Sequence, residues 1–444
     1  MDDPNATYLA DTYRFNWPEL GVELCMERLA QARDGGVTTE LRISTSRPPT
    51  PGLLARNAMN LLADQTRKTM SRSLEDRIPD VDWYGLLLKA SDLALTRWRE
   101  GNPLIKLLDT PPREGSKWFL RPYVETGLPT VFFTYGGSGK SLLAAGMAVS
   151  IITGRDIVGA EPLDCGPVIY LDWEADEYSH SERVRAICAG AGIDPEDVKP
   201  HLHYRREYAS LASSAAPLRK RVVETGAKAI IIDSVSAARG SETKDEAATV
   251  EMFSCLRSMN ITPILLDHLP KDPKADKTSP IGTVLTTNRA RNLWRVDKAQ
   301  YEDGGDDLDL CLVHTKTNNG RYQPKRGLAI SFENGDDDQL LVVRFRPQHL
   351  LDMPSFRSRA PMWQQIAGIL RANRGTPLSV SEILNCLEVE AADEPDGLLA
   401  KKASPPSDAK VRATLNFYRK VFVAVSGNRG EQKQWGLLET TVRA

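Results

Sequence analysis

The sequence is poor in cysteine, lacks long apolar runs and carries almost no net charge. Its six cysteines are scattered over 444 residues without a Cys-x-x-Cys pair, which argues against a structural zinc site and a disulfide framework. No apolar run reaches the roughly 18 residues of a membrane span. A formal net charge of −2 gives no overall attraction to nucleic acid, so local patches would have to hold such a partner. We therefore expect a cytoplasmic protein.

The first of three predicted domains covers residues 1–110. Apolar residues recur at helical spacing around 17–33, 53–70 and 82–100, which predicts a helical domain. A Pro-rich break at 109–115 ends it. No catalytic motif occurs there, so we expect a docking or oligomerisation domain whose protein partner is unknown.

Residues 111–350 form the second predicted domain. Strand-like and helix-like stretches alternate, as in an α/β domain with a largely parallel sheet. The later strands are separated by acidic turns at 302–307 and 333–338, which predicts antiparallel hairpins added to the parallel core. Such acidic clusters are more often solvated turns than metal sites. The predicted strands are 130–134, 167–172, 229–233, 262–267, 308–315, 327–332 and 339–345.

Residues 351–444 form the third predicted domain, after a linker rich in Pro, Arg and Ser. Three helices followed by a hairpin is the order of a winged helix, a module that binds DNA or docks proteins. The predicted helices are 362–372, 379–387 and 407–420, and the hairpin strands are 422–425 and 434–438.

A strand that runs into a Gly-rich turn and then a helix predicts a phosphate-binding loop. Glycines allow successive backbone N–H groups to cradle phosphate oxygens, and the helix N-terminus adds a favourable dipole. Thr134 stands where the first glycine of the motif is usual. We expect ATP to bind at Gly136, Gly137, Ser138, Gly139, Lys140, Ser141 and Leu142.

Two side chains of this loop have predicted chemical roles. Lys140 would reach the β- and γ-phosphates, and the Ser141 hydroxyl would ligate Mg²⁺. Asp233 ends the apolar strand 229–233 and would complete the magnesium site.

The general base is expected at the end of the strand 167–172. Because ligands bind at the carboxyl ends of strands in open α/β sheets, Glu174 would orient the attacking water, and Asp172 is the alternative. His268 follows another strand and would report nucleotide state to the next loop, although a lone histidine is often structural.

Together these motifs resemble the RecA-superfamily ATPases, and within them the hexameric RepA-like replicative helicases of plasmids and related phage and plasmid ATPases. The resemblance covers about residues 120–335. It rests on the phosphate-binding loop, 166–171 with Glu174, 231–233, 266–271, 282–285 followed by Arg291, and 316–318.

The resemblance implies a ring in which ATP lies between two subunits. The neighbour would supply a cation to the transition state, with Arg291 the best match and Lys316 a second contributor. Arg289 and Arg295 are close alternatives. The sequence departs from the family in having one histidine at 268 and in carrying Asn318 where some relatives have arginine after the lysine.

Two regions are expected to contact DNA. The loops 234–244 and 269–280 would face the ring centre, and the second carries Lys271, Lys274 and Lys277, which suit phosphate contacts. A solvated loop is the alternative. The C-terminal domain offers a basic helix and wing for duplex DNA, with Lys410, Arg412, Arg419, Lys420, Arg429 and Lys433.

The sequence therefore predicts a Mg²⁺-dependent ATPase that moves on or unwinds DNA in replication or recombination, and the resemblance implies a hexameric ring. One alternative is an ATP-switched DNA-binding regulator or loader that does not unwind DNA. Another is a ring ATPase that acts only on protein partners.

Overall fold

The structure, a computed structural model, describes most of the chain in two compact units. One unit contains residues 1–114 with 216–220, and the other contains 115–215 with 221–444. The described residues are 3–9, 12–32, 35–48, 51–101, 104–112, 114–241, 245–269, 279–280, 284–299, 307–374, 376–392, 406–425 and 433–438. Among them, no helix combines the length and the apolar character that a membrane crossing requires.

The first unit contains a five-stranded antiparallel sheet and two helices. The strands follow one another in chain order across the sheet. Their apolar side chains, among them Phe15 and Leu24, pack with Leu86 and Leu87 of the second helix in one core. The elements are β1 (Asn5–Leu9), β2 (Thr12–Trp17), β3 (Val22–Gln31), β4 (Val37–Thr45), β5 (Gly52–Asn60), α1 (Asp64–Glu75) and α2 (Trp83–Glu100).

The prediction of a helical N-terminal domain is wrong for most of its length. Of the three expected helices, the one at 82–100 is found, 17–33 is largely strand, and 53–70 is divided between the end of β5 and the start of α1. The reason is visible in β4, where buried and less buried residues alternate strictly. A period of two is the pattern of a strand with one face on a core, and packing of that face outweighs local helical spacing.

A nine-stranded mixed sheet dominates the second unit. Its order is β11–β10–β12–β13–β8–β14–β15–β16–β17, and the elements up to residue 350 are as follows. The strands are β6 (Trp118–Arg121), β7 (Val124–Glu125), β8 (Thr130–Thr134), β9 (Glu161–Pro162), β10 (Val168–Asp172), β11 (Leu202–Arg206), β12 (Ala229–Asp233), β13 (Thr262–His268), β14 (Asn292–Lys298), β15 (Leu308–Thr317), β16 (Arg326–Asn334) and β17 (Leu340–Gln348). The helices are α3 (Lys140–Thr153), α4 (Glu177–Ala191), α5 (Pro195–Val198), α6 (Ala215–Thr225), α7 (Val235–Ala238), α8 (Glu246–Ser258) and α9 (Val284–Arg289).

The first six strands of this order are parallel and the last three are antiparallel. The expected mostly parallel α/β sheet with added antiparallel hairpins is therefore found. β8, β10 and β12 are buried along their whole length, as expected for parallel strands covered on both faces. The sheet also contains β11 and β14, which are absent from the sequence prediction.

The C-terminal part of the second unit is a small module of three helices and three short strands. Its sheet has the order β18–β20–β19. Ile366, Leu370, Ile383 and Trp435 belong to its core. The elements are α10 (Met362–Ala372), β18 (Leu378–Ser379), α11 (Val380–Ala392), α12 (Asp408–Phe417), β19 (Phe422–Val425) and β20 (Gln434–Leu437).

A buried ion pair joins the segment before α10 to the large sheet. Arg359 lies against the carboxylate of Asp297 on β14. Arg295 also binds Asp297, with its Nε 2.9 Å from Oδ1. Because Asp297 is fully buried, both guanidiniums are needed to offset removal of its charge from water.

Candidate nucleotide site

The turn between β8 and α3 forms an open cradle. Gly137 and Gly139 have φ values of 69° and 78°, which favour glycine because other residues are strained there. A Cβ atom added at Gly136 or Gly137 would meet no atom within 4 Å. The space above the turn is therefore free for a phosphate chain, with the N-terminus of α3 facing it.

Lys140 lies at the base of this cradle and is only 6% exposed. Its Nζ donates to the carbonyl oxygen of Tyr135 at 3.3 Å and lies 3.3 Å from Nδ1 of His268. Burial lowers the pKa of the Lys140 ammonium, and the nearby carboxylates of Asp233 and Glu174 oppose that shift. An incoming polyphosphate would therefore find a cation with few competing partners.

Ser141 and Asp233 lie in direct contact. The Ser141 hydroxyl donates to Oδ2 of Asp233 at 2.6 Å, and Tyr170 donates to the same oxygen at 2.8 Å. Burial raises the pKa of Asp233, so a cation beside it would relieve an unfavourable buried charge. A hydroxyl and a carboxylate at this distance fit Mg²⁺, which prefers oxygen ligands.

Glu174 faces the same site from the end of β10. Its Oε1 lies 3.1 Å from Nε2 of His268 and accepts a hydrogen bond from the hydroxyl of Ser234. The hydrogen bond from His268 lowers the pKa of Glu174. The carboxylate is thus ionised at neutral pH, which is the form that a general base requires.

Asp172, the alternative base, is held by other groups. It is fully buried and accepts hydrogen bonds from the backbone amides of Glu174 and Ala175 and from the Tyr204 hydroxyl. Burial opposes its ionisation, but these bonds and the contact with His180 outweigh that effect and lower the pKa to about 2. The geometry therefore favours Glu174 as the group free to meet a water.

His268 bridges Lys140 and Glu174. Because an ammonium has no acceptor, Nδ1 of the ring accepts from Lys140, and the Nε2–H group then donates to Glu174. In this arrangement the ring hydrogen that faces Glu174 is on Nε2. One ring therefore connects the phosphate-binding lysine to the expected base.

Arg291 lies at the opposite edge of the sheet from the cradle. β14 is parallel to β8, and its first residue, Asn292, pairs with Thr130, the first residue of β8. Arg291 therefore precedes β14 at the amino edge, whereas the cradle follows β8 at the carboxyl edge. Within the described part of the chain, no hydrogen bond or ion pair engages its guanidinium.

The other cations near this edge are already engaged or enclosed. Arg295 is paired with Asp297. Arg289 has a buried Nε atom without a hydrogen-bond partner. Lys316 donates from Nζ to the carbonyl oxygens of Ala290 at 2.8 Å and Asn288 at 3.2 Å, and also to that of Thr287. Lys316 thus holds the carbonyl groups at the end of α9 in its own chain.

The expected DNA contacts are only partly described. Lys271, Lys274, Lys277 and Arg429 lie outside the described residues. Lys410 and Arg412 are exposed on α12, and Arg419 and Lys420 are exposed just after it. Arg412 is paired with Asp408, and Lys433 lies 4.9 Å from the ring centroid of Trp435.

Two residues that contact this site were given no role in it by the sequence analysis. Tyr170 binds Asp233, and Ser234 binds Glu174. Tyr170 shares one face of β10 with Asp172, since alternate residues of a strand point to the same side. The two-residue spacing of Tyr170 and Asp172 therefore indicates from sequence that both side chains lie on the same face of β10. Nothing in the sequence indicates that the serine after Asp233 contacts Glu174.

Part of the chain is similar to known proteins. The AAA_25 family, described as an AAA domain, matches residues 100–274. None of the curated proteins matches the chain. A KaiC-like protein from the hyperthermophilic archaeon Pyrococcus horikoshii OT3 is 15% identical with a TM-score of 0.36, over 52% of this chain and 94% of that one. The RadB recombinase is 18% identical with a TM-score of 0.36, over 47% and 89%. The family match includes the turn between β8 and α3 and the strands β10 and β12.

Proposed function

We propose that this chain is an ATPase that assembles as a hexameric ring, in the manner of RepA-like helicases, and moves along or unwinds DNA. The observation that carries the ATPase activity is the convergence of four side chains at one sheet edge. Lys140 and Ser141 face the cradle, and Asp233 accepts a hydrogen bond from Ser141. Glu174 is connected to Lys140 through His268, which contacts both side chains.

Each group has a role in phosphoryl transfer to water. The amides of the cradle and Lys140 bind the β- and γ-phosphates, and Glu174 orients a water and accepts its proton. Ser141 and Asp233 would hold Mg²⁺, which would supply positive charge to the phosphate oxygens. When Lys140 turns to the phosphates, Nδ1 of His268 loses its partner. The His268 imidazole would in this way sense the nucleotide state.

The position of Arg291 supports a site shared between subunits. A strand length separates Arg291 from the cradle of its own chain, so it can serve only the nucleotide of a neighbour. Lys316 fixes the backbone just before Arg291, and in this way contributes to the same interface. A cation supplied in trans is worth on the order of 10³–10⁵ in rate.

The C-terminal module supports contact with DNA. Its element order and sheet order fit a winged helix, and α12 would be the helix that enters the major groove. Lys410, Arg419 and Lys420 present exposed charge on or just after that helix. Lys271, Lys274 and Lys277 would contact the single strand inside the ring.

A second candidate function follows from the same module. A duplex-binding winged helix attached to an ATPase also suits a regulator or loader that ATP switches, without translocation. The two functions differ in their response to single-stranded DNA, because only a motor couples turnover to movement along it.

The discriminating experiment measures Mg²⁺-ATP turnover and strand separation on a forked duplex. A motor is expected to show turnover stimulated about tenfold or more by single-stranded DNA, together with unwinding. Lys410→Glu with Lys420→Glu should weaken duplex binding, and Arg374→Glu, an exposed change elsewhere in the module, should not. Tight duplex binding with no unwinding would overturn the motor in favour of the regulator.

A further inference from the structure

A cavity lies between α3, α4, α5, the edge strand β11 and its neighbour β10. Its volume is about 330 Å³, within the roughly 300–1,000 Å³ of small-molecule pockets. Ala145 and Ala148 of α3, Val184 of α4, Val198 of α5 and Leu202 of β11 supply aliphatic lining. None of the groups proposed to act on ATP lines it.

One wall of the cavity is aromatic. Tyr170, His180 and Tyr204 line it together, with ring centroids 4.5 Å apart for Tyr170 and His180 and 5.4 Å apart for His180 and Tyr204. Both tyrosine hydroxyls donate to carboxylates, to Asp233 at 2.8 Å and to Asp172 at 2.9 Å. Since the hydroxyls are engaged there, the rings themselves are what the wall offers to a ligand.

The mouth of the cavity selects neither sign of charge. Glu177, Arg185, Glu196 and Lys199 line it. Glu196 and Lys199 pair with each other, with Nζ 2.9 Å from Oε2, so their charges offset one another. The cavity is apolar, has an aromatic wall and carries equal numbers of acidic and basic residues at its mouth. These features favour an uncharged, planar aromatic ligand, which gains stacking contact at little desolvation cost.

The tyrosines of the aromatic wall contact two parts of the proposed hydrolysis site, the Asp233 carboxylate and the segment that carries Glu174. Tyr170 binds Asp233, which in turn accepts from Ser141. Tyr204 binds Asp172, and Asp172 holds the backbone amide of Glu174 at 2.9 Å. A molecule packed against these rings would therefore act on the magnesium aspartate and on the segment that carries the base.

We infer that this cavity binds a small, uncharged, planar aromatic molecule and that its occupancy is coupled to the binding of Mg²⁺-ATP. The coupling rests on the proposed function, whereas the binding does not. A ring packed against Tyr170 limits its motion and keeps its hydroxyl on Asp233. The carboxylate is then already placed for the metal, so the two ligands strengthen each other, and by the same factor.

Binding is tested on the full chain without nucleotide, with indole as the probe and saturation-transfer NMR as the readout. Indole is expected to receive saturation, and cyclohexanol, of similar size but without an aromatic ring, is expected to receive much less. Val184→Trp fills the cavity and should abolish the indole signal. Val223→Trp adds the same side chain at an exposed position of α6 outside the cavity and should leave the signal intact.

A second filling variant protects this test against misfolding. Ala148→Leu adds fewer atoms to α3 and should weaken indole binding while the circular dichroism spectrum stays that of the wild type. Absence of an indole signal in the wild type, or an equal signal in Val184→Trp and Val223→Trp, overturns the site.

Coupling is tested by calorimetric titration of a Mg²⁺-bound, non-hydrolysable ATP analogue with and without saturating indole. The analogue should bind about fivefold more tightly with indole. In Tyr170→Phe, which keeps the ring and loses the hydroxyl, indole should still bind but the fivefold gain should vanish. An unchanged affinity in the wild type overturns the coupling. Failure of the analogue to bind at all, with indole binding retained, would instead remove the proposed function.

Discussion

The buried ammonium group of Lys140 is connected by hydrogen bonds to other residues of the candidate nucleotide site. It touches His268, and His268 touches Glu174. Under the proposed function the lysine has two tasks, which are to attract the phosphates and to release the histidine when they bind. A substitution there removes both tasks without removing an apolar group from the core.

Lys140→Ala is expected to lower turnover by on the order of 10³ or more, because it deletes a cation that stabilises the transferred phosphoryl group. The fold should persist, which circular dichroism checks. Lys228→Ala, at a half-exposed lysine paired with Asp164, should leave turnover unchanged. Hydrolysis that continues at the wild-type rate in Lys140→Ala would contradict the central assignment.

Asp267 gives a pH-dependent prediction. It is fully buried, and burial raises the pKa of its carboxyl from 3.8 to about 7. The stability that this group contributes is therefore complete below its ordinary pKa and is lost as the pH rises through about 7. Asparagine cannot ionise and retains an acceptor for the amide of His268, which Asp267 binds at 2.8 Å.

Asp267→Asn is accordingly expected to melt at a higher temperature than the wild type at pH 8. The difference should shrink as the pH falls from 7 towards 4, where the native carboxyl is protonated as well. Thermal denaturation of both proteins, followed by circular dichroism at each pH in this range, measures the difference in melting temperature. A difference that stays the same at every pH would show that ionisation of Asp267 is not the cause.

The residues of the phosphate site were accessible to prediction because motif spacing encodes backbone geometry. Gly136, Lys140 and Ser141 stand at fixed offsets in a turn, and a strand that ends in Asp233 must meet them at the carboxyl edge of a parallel sheet. Tyr170 was only partly accessible to prediction. Alternation along β10 places it on the same face as Asp172, but its contact with Asp233 depends on which strand lies beside β10, and one sequence does not contain that order.

Among the secondary-structure elements, the N-terminal strands show where sequence reasoning fails. Apolar residues in 17–33 satisfy a helical period over short windows, yet β3 pairs with β2 and β4 along that stretch. Hydrogen bonds to neighbouring strands, which local spacing does not reveal, decide the outcome. The strands of the large sheet were predicted better, because an unbroken apolar run such as 229–233 needs cover on both faces.

The ion pair between Arg359 and Asp297 is the link between β14 and the segment that leads into α10. Arg359→Ala is expected to destabilise the protein by about 3 kcal/mol, since it leaves a buried carboxylate with one partner instead of two. Arg344→Ala removes an exposed partner of Glu333 and should cost about 0–1 kcal/mol. Chemical denaturation of both variants tests this difference, and equal losses would contradict the buried role of Arg359.

In the whole molecule, the phosphate cradle and Arg291 lie at opposite edges of one sheet. The five residues of β8 that separate the two span about 17 Å at 3.3 Å per residue, which is more than an arginine side chain reaches. Arg291 is therefore expected to act on a neighbouring chain, and its loss should affect chemistry and not nucleotide affinity.

Arg291→Ala is expected to lower turnover by on the order of 10³, because the transition state loses a cation that the ground state does not need. Binding of a non-hydrolysable ATP analogue, measured by calorimetry, should be unchanged. Arg321→Ala removes an exposed arginine between β15 and β16 and serves as the control. Parallel loss of turnover and of analogue binding would point to a folding role for Arg291.

The separation of these two edges has a genetic consequence. Two inactive alleles, one lacking Lys140 and the other lacking Arg291, would each supply what the other is missing. In a randomly mixed ring, roughly a quarter of the subunit junctions would combine an intact lysine on one side with an intact arginine on the other. Co-expression of the two defective genes should therefore restore part of the activity that neither restores alone.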